Sequence, residues 1–163
     1  MGQFKPIPIG VEDFKRLIDD GYYFIDKTLM IQDILDQKGA VKLFTRPRRF
    51  GKTLNMSMIQ RFFEKTEEDN SYLFEGLNIT KAGDKYKAYQ GQYPVISLSL
   101  KSMKQPSYEF AFEEFKKNIR KEFWRHRDVL ASDVLSPVER NQFESVCDDT
   151  AEDSVYITSI KLL

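Results

Sequence analysis

What this sequence is short of rules out several classes of protein. It holds one cysteine, Cys147, in 163 residues, so it can form no internal disulfide and no cysteine-based metal cage. Its one histidine, His126, sits among charged residues. No ligating partner accompanies it, and a solvated side chain is expected. No run approaches the roughly 18 apolar residues that a membrane-spanning helix needs. The opening Met1-Gly2-Gln3-Phe4-Lys5-Pro6 lacks the apolar core of a signal peptide. Gly2 follows Met1, but Pro6 stands where a myristoylation signal requires Ser or Thr. Net charge is absent as well, with 25 basic against 25 acidic residues, so no bulk attraction to nucleic acid or to a membrane is expected. These absences together describe a cytoplasmic chain with no membrane partner.

The chain is 41% hydrophobic and rich in Phe and Tyr, enough for one core in one domain. Val11, Phe14, Leu17 and Ile18 fall at helical spacing and predict a helix over 9–20, with Gly21 placed to end it. Tyr22–Ile25 reads as extended. Asp26 or Thr28 then caps a second helix carrying Leu29, Met30, Ile31, Ile34 and Leu35, with Gly39 as its stop. Ala40–Thr45 and Pro94–Leu100 are the two core strand candidates, Pro being tolerated at a strand's first position. Between them lie a helix opening near Thr53 and a polar stretch with turns at Gly76, Gly83 and Gly91. Ser107 is placed to cap a long helix through about Arg127, whose apolar stripe is Phe112, Phe115, Ile119, Phe123 and Trp124. Ser136-Pro137-Val138-Glu139 is a capping box with Pro at the first helical position, opening a helix to about Cys147. On that helix Cys147 lies on the apolar face and is expected in the core. The last apolar pattern, Tyr156, Ile160 and Leu163, is interrupted by the end of the sequence, which suggests a cut chain.

Charge is even in total but uneven along the chain. Lys42, Arg46, Arg48, Arg49, Lys52, Arg61 and Lys65 stand between Val41 and Lys65 against Glu64 alone. A basic cluster in a neutral protein points to a local anionic ligand, with a solvated face as the bland alternative. Within the cluster lies Arg46-Pro47-Arg48-Arg49-Phe50-Gly51-Lys52-Thr53. The phosphate-loop pattern is G-x-x-x-x-G-K followed by Ser or Thr; its second half is intact here, and Arg46 replaces its first Gly. Gly51 lets backbone N–H groups approach phosphate oxygens closely. Lys52 brings a compact positive charge to the β- and γ-phosphates. Thr53 offers a hydroxyl to Mg²⁺ at a helix N-terminus, where unpaired N–H groups favour an anion. A Gly-Lys-Ser/Thr triplet arises by chance in roughly one chain in ten of this length, so the flanking strand and helix carry the weight. Arg46, Arg48 and Arg49 either pair with phosphates or anchor the loop to acidic residues of the fold.

The run from Phe44 to Met58, Phe-Thr-Arg-Pro-Arg-Arg-Phe-Gly-Lys-Thr-Leu-Asn-Met-Ser-Met, closely resembles the signature of the bacterial AAA-ATPase-like family. Gly10–Phe14, Gly21–Thr28, Tyr72–Leu77 and Tyr93–Leu100 extend the resemblance in order along nearly the whole chain. The resemblance implies an N-terminal ATPase module over 1–163, usually followed by a restriction-endonuclease-like nuclease domain. It also makes Arg in place of the first Gly ordinary. Family members carry an apolar strand ending in Asp-Glu that holds Mg²⁺ and orients the attacking water; these residues contain none, since Asp148-Asp149 ends a helix.

The reading that follows is an α/β, P-loop NTPase-like three-layer fold with an incomplete sheet and flanking helices. An unpaired sheet edge would bring dimerisation, strand exchange or marginal stability. The expected ligands are ATP and Mg²⁺, contacted by Arg46, Arg48, Arg49, Phe50, Gly51, Lys52, Thr53 and Leu54, with Thr53 on the metal and hydrolysis weak or absent. The alternative is a non-enzymatic nucleic-acid-binding or protein-interaction module using Arg46, Arg48, Arg49 and Lys52, which the zero net charge disfavours. Asp26-Lys27-Thr28, between an aromatic stretch and a helix, either approaches the base or ribose or caps the helix. Trp124 is expected in the core, and no Ser-His-Asp set emerges around Ser97 or Ser99.

Overall fold

Caps and turn residues set the boundaries of the helices. The computed structural model describes residues 4–37, 39–45, 47 and 50–163, and backbone contacts divide the chain into two units, Met1–Val95 and Ile96–Leu163. In the first, α1 spans Phe14–Asp19 and is capped by Asp13, whose Oδ1 accepts from Arg16 N at 2.8 Å. The expected start at Ile9 is therefore too early: Gly10, at φ 75°, turns the chain before the cap. Helix α2 spans Leu29–Asp36, α3 Lys52–Phe63, and the short α4 and α5 span Asn78–Lys81 and Asp84–Lys87. A 3₁₀ turn, Ser71–Phe74, lies between α3 and α4.

The core of this unit gathers Phe14, Ile31, Met58, Phe62, Leu73, Phe74, Ile79 and Tyr86. Phe74 is its hub. Its ring lies 5.2 Å from Phe14 and 5.1 Å from Phe62, the latter edge-on at 84°, the geometry that aromatic quadrupoles favour.

The second unit contains α6, Tyr108–Arg125, α7, Pro137–Cys147, and α8, Asp153–Thr158. Ser107 Oγ accepts from Phe110 N, and the capping box at Ser136 and Glu139 closes in both directions behind Pro137. Phe115, Ile119 and Phe123, one helical face at i, i+4 and i+8, meet Phe143, Val146, Cys147 and Tyr156. Trp124 lies one position off that face. It is half exposed, with its indole Nε1 donating to Cys147 O at 3.1 Å and Arg127 over its ring at 4.4 Å. His126 is not solvated as expected; its side chain is 17% exposed and stands 4.0 Å from buried Glu122.

The expected α/β three-layer fold is corrected. Among the described residues the elements are helical, and the β-type pairing is one isolated parallel bridge, Glu64 to Tyr93. The two strand candidates carry β-favouring residues, but a ladder requires a second backbone about 4.8 Å away along several residues, and among the described residues no strand forms at either segment. Val41 and Leu43 accordingly stand 85% and 84% exposed, not in a core. Local propensity makes a segment extended; only a non-local partner makes it a strand. No helix among the described residues is long and apolar enough to cross a membrane.

Candidate functional site

Helix α3 presents three faces, and its sequence spacing assigns each. Leu54, Met58 and Phe62, at i, i+4 and i+8, pack on the core. Ser57 and Arg61 face α1. There Phe14 N donates to Ser57 Oγ at 2.9 Å, Ser57 Oγ donates to Asp13 Oδ2 at 3.4 Å, and Arg61 Nη2 pairs with the same oxygen at 3.1 Å. Lys52, Asn55, Met56 and Ile59, at i, i+3, i+4 and i+7, form the third face. It walls a pocket of about 490 Å³ together with Lys27, Met30 and Asp33 around the start of α2, and with Phe44 and Phe50. Its lining combines apolar and aromatic side chains (Met30, Phe44, Phe50, Met56, Ile59) with a few charged and polar ones (Lys27, Asp33, Lys52, Asn55), the usual make-up of a small-molecule site.

The entry to α3 is shaped by Gly51, at φ 71° and ψ 24°. This is the left-handed region, which costs a residue with a Cβ about 1–2 kcal/mol. Nothing stands within 4 Å of where a Cβ would be, so the backbone conformation requires glycine and crowding does not. Gly51 O then accepts from Asn55 N at 2.8 Å and starts the helix. Lys52 Nζ lies 3.5 Å from Pro47 O, folded back toward the loop that precedes it.

Of the residues singled out from the sequence, Lys52 and Phe50 line the pocket. Thr53 is exposed on the first turn of α3, and Leu54 is turned to the core. Arg46, Arg48 and Arg49 lie outside the described residues. The pocket also brings in Lys27, Met30, Asp33, Phe44, Asn55, Met56 and Ile59, which the motif does not name. The signal for the α3 members was available as the helical stripe that begins at Lys52.

Asp26 and Thr28 prove to be structural. Asp26 Oδ1 accepts from Thr28 N and Thr28 Oγ1 at 2.9 and 2.6 Å, and its Oδ2 accepts from Asn78 N at 2.7 Å. Fully buried Thr28 accepts from Ile79 N at 3.1 Å. Together they tie the start of α2 to the start of α4. Burial works against ionisation of Asp26, but the bonds from Thr28 and Asn78 outweigh it and hold the carboxyl below the usual carboxylate range.

Cys147 is buried, and burial pushes its thiol above the ordinary cysteine value. Among the described residues no group of three His, Cys, Asp or Glu side chains converges to hold a metal.

Over 96 residues the chain is 32% identical to a protein of Azotobacter chroococcum mcd 1 described as "Uncharacterized protein in vnfD 5'region". That stretch is 58% of this chain but 17% of that protein, so the chain spans a small part of the length of its relative. No solved structure matches. The sequence profile of a family described as "Predicted AAA-ATPase" matches residues 8–157. A match that includes both α3 and the pocket beside it settles the assignment: the chain belongs to the AAA-ATPase-like family.

Proposed function

We propose that the chain binds ATP as its Mg²⁺ complex through the turn leading into α3. The observation that carries this reading is the left-handed Gly51 directly ahead of Lys52, at the N-terminus of a twelve-residue helix bordering a pocket with aromatic walls. A helix start favours an anion through its unpaired N–H groups. The family assignment supports nucleotide binding in general. In this reading Lys52 meets the β- and γ-phosphates, Thr53 offers its hydroxyl to Mg²⁺, and Phe44 and Phe50 flank the base. Arg46, Arg48 and Arg49 add phosphate contacts from the same loop.

Turnover by these 163 residues alone is proposed to be weak or absent. Phosphoryl transfer relies on positioning and metal electrostatics, and no apolar segment of the sequence ends in the Asp-Glu pair that would hold the metal and the attacking water. Binding is less sensitive to that lack than turnover.

Calorimetric titration of MgATP against the wild type and Lys52→Ala tests the reading. A hydrogen bond to a charged group contributes about 1.5–3 kcal/mol, so the variant should bind roughly 10- to 150-fold more weakly. Equal affinities would sink the proposal.

A further inference from the structure

Lys27 lines the same pocket as Lys52, yet it belongs to no phosphate-loop pattern. Its position follows from the chain around it. From Tyr22 to Thr28 burial alternates strictly: Tyr22, Phe24, Asp26 and Thr28 are turned inward, and Tyr23, Ile25 and Lys27 outward. Period-two alternation is what an extended backbone imposes. Asp26 and Thr28 are held on the inner side by their bonds to each other and to Asn78 and Ile79. That locked pair presents Lys27 to the pocket wall on the opposite side.

The electrostatics point the same way. Asp26, the neighbouring carboxylate, has both oxygens committed to Thr28 and Asn78. Asp33 shares the pocket wall, but among the described residues Lys27 makes no ion pair with it or with any other carboxylate. Two lysines, one from α3 and one from the segment entering α2, thus line one pocket whose wall includes one carboxylate residue, Asp33. A single phosphate can meet one of them; a longer phosphate chain can meet both.

We propose that Lys27 is a second binding cation of this pocket, contacting the polyphosphate of the nucleotide that Lys52 holds. The inference rests on the nucleotide-binding reading above and extends it: the ligand carries more than one phosphate, and a residue outside the loop helps select it. The two ammonium groups grip the same anion from separate elements, so the pocket favours ATP and ADP over AMP.

The test is a titration of MgATP against wild type, Lys27→Met and Lys27→Arg, over salt from about 0.05 to 0.3 M, where screening of charge pairs changes substantially. Met keeps an apolar stem of similar length without the charge, and Arg keeps the charge. Lys27→Met should bind roughly tenfold or more weakly and lose affinity less steeply as salt rises, while Lys27→Arg stays near wild type in both respects. A Lys27→Met variant within twofold of wild type would overturn the inference, as would equal losses in both variants. Those results leave the wild type binding MgATP. Failure of the wild type to bind would overturn the nucleotide reading itself, and this inference with it. Thermal melts of each variant separate loss of a contact from loss of the fold.

Discussion

Replacing Asp26 by Asn should destabilise the protein by about 1.5–3 kcal/mol. The wild-type carboxylate accepts three hydrogen bonds, from Thr28 N, Thr28 Oγ1 and Asn78 N. An amide at this position keeps one acceptor oxygen and puts an NH₂ where the other was. Whichever way it is turned, a donor then faces a donor, either the Asn78 N–H or the pair at Thr28. A bond to a charged acceptor contributes about 1.5–3 kcal/mol. Asp26 is only half-buried, so water recovers part of the loss and the sum stays near the value of one strong bond. For a chain of this size that lowers Tm by roughly 3–12 °C. The sign of the pH dependence follows from the depressed pKa. Asp26 contributes stability that is fully present above the unfolded carboxylate value of about 3.9 and is lost as pH falls through the lower folded-state value. Urea unfolding followed by circular dichroism should show the variant weaker at neutral pH, with the gap closing below about pH 4. The reasoning is refuted if the variant lies within about 0.5 kcal/mol of wild type at neutral pH, a difference expected of surface substitutions. It is also refuted if the gap does not change with pH. Because Asp26 anchors the segment that presents Lys27, the same variant should weaken MgATP binding.

Two further outcomes concern the second unit. Phe143 is 1% exposed with its ring 4.5 Å from Phe123, so Phe143→Ala should cost about 3–5 kcal/mol in urea unfolding; a cost under about 1 kcal/mol would contradict its place in the core. Cys147 is buried with its thiol pKa raised by desolvation, so a thiol-specific reagent should react slowly with the native protein near neutral pH and rapidly in urea, since the thiolate is the reactive form. Equal rates in the two conditions would count against that burial.

The features legible in the sequence are those decided within a few residues. Ser107 and the Ser136 box cap α6 and α7 where their side chains indicate, because a cap is a contact across three residues. Gly21, Gly76, Gly83 and Gly91 all take positive φ at the expected turns. The loop pattern makes Gly51 glycine for a close approach to phosphate; the structure supplies a reason independent of any ligand, its left-handed φ. What failed is non-local. The extended segments at Val41 and Val95 have the composition of strands, but pairing depends on what lies beside them in space. The apolar stripe it shares with Phe123 points Trp124 to the core. One residue of helix is about 100° of rotation, enough to carry the indole to the rim, where its N–H reaches the carbonyl of Cys147. The solvated reading of His126 failed for a similar reason: it is sheltered beside Glu122, whose carboxylate accepts from Ser97 N at 2.9 Å across 25 residues of sequence.

The site shows the same division. Gly51, Lys52 and Thr53 are contiguous, so a motif can find them. The other wall of the pocket comes from Lys27, Met30 and Asp33, well upstream in the sequence, and only the fold of the first unit brings them near. A physical rule still links the two walls. Helix α3 gives Leu54, Met58 and Phe62 to the core and Lys52, Asn55, Met56 and Ile59 to the pocket. Its remaining face holds Asp13 of the α1 cap through Ser57 and Arg61. A helix fixed on two of its three sides has little freedom to rotate, because turning the pocket face would pull Phe62 out of the core or break the Arg61–Asp13 pair. The segment entering α2 is fixed in the same manner, with Asp26 and Thr28 bonded on one side and Lys27 left to the other. Both lysines are thus held by residues that never touch the pocket. In the proposed reading, the preorganisation that binding an anion demands resides in the packing behind the site as much as in the loop that names it.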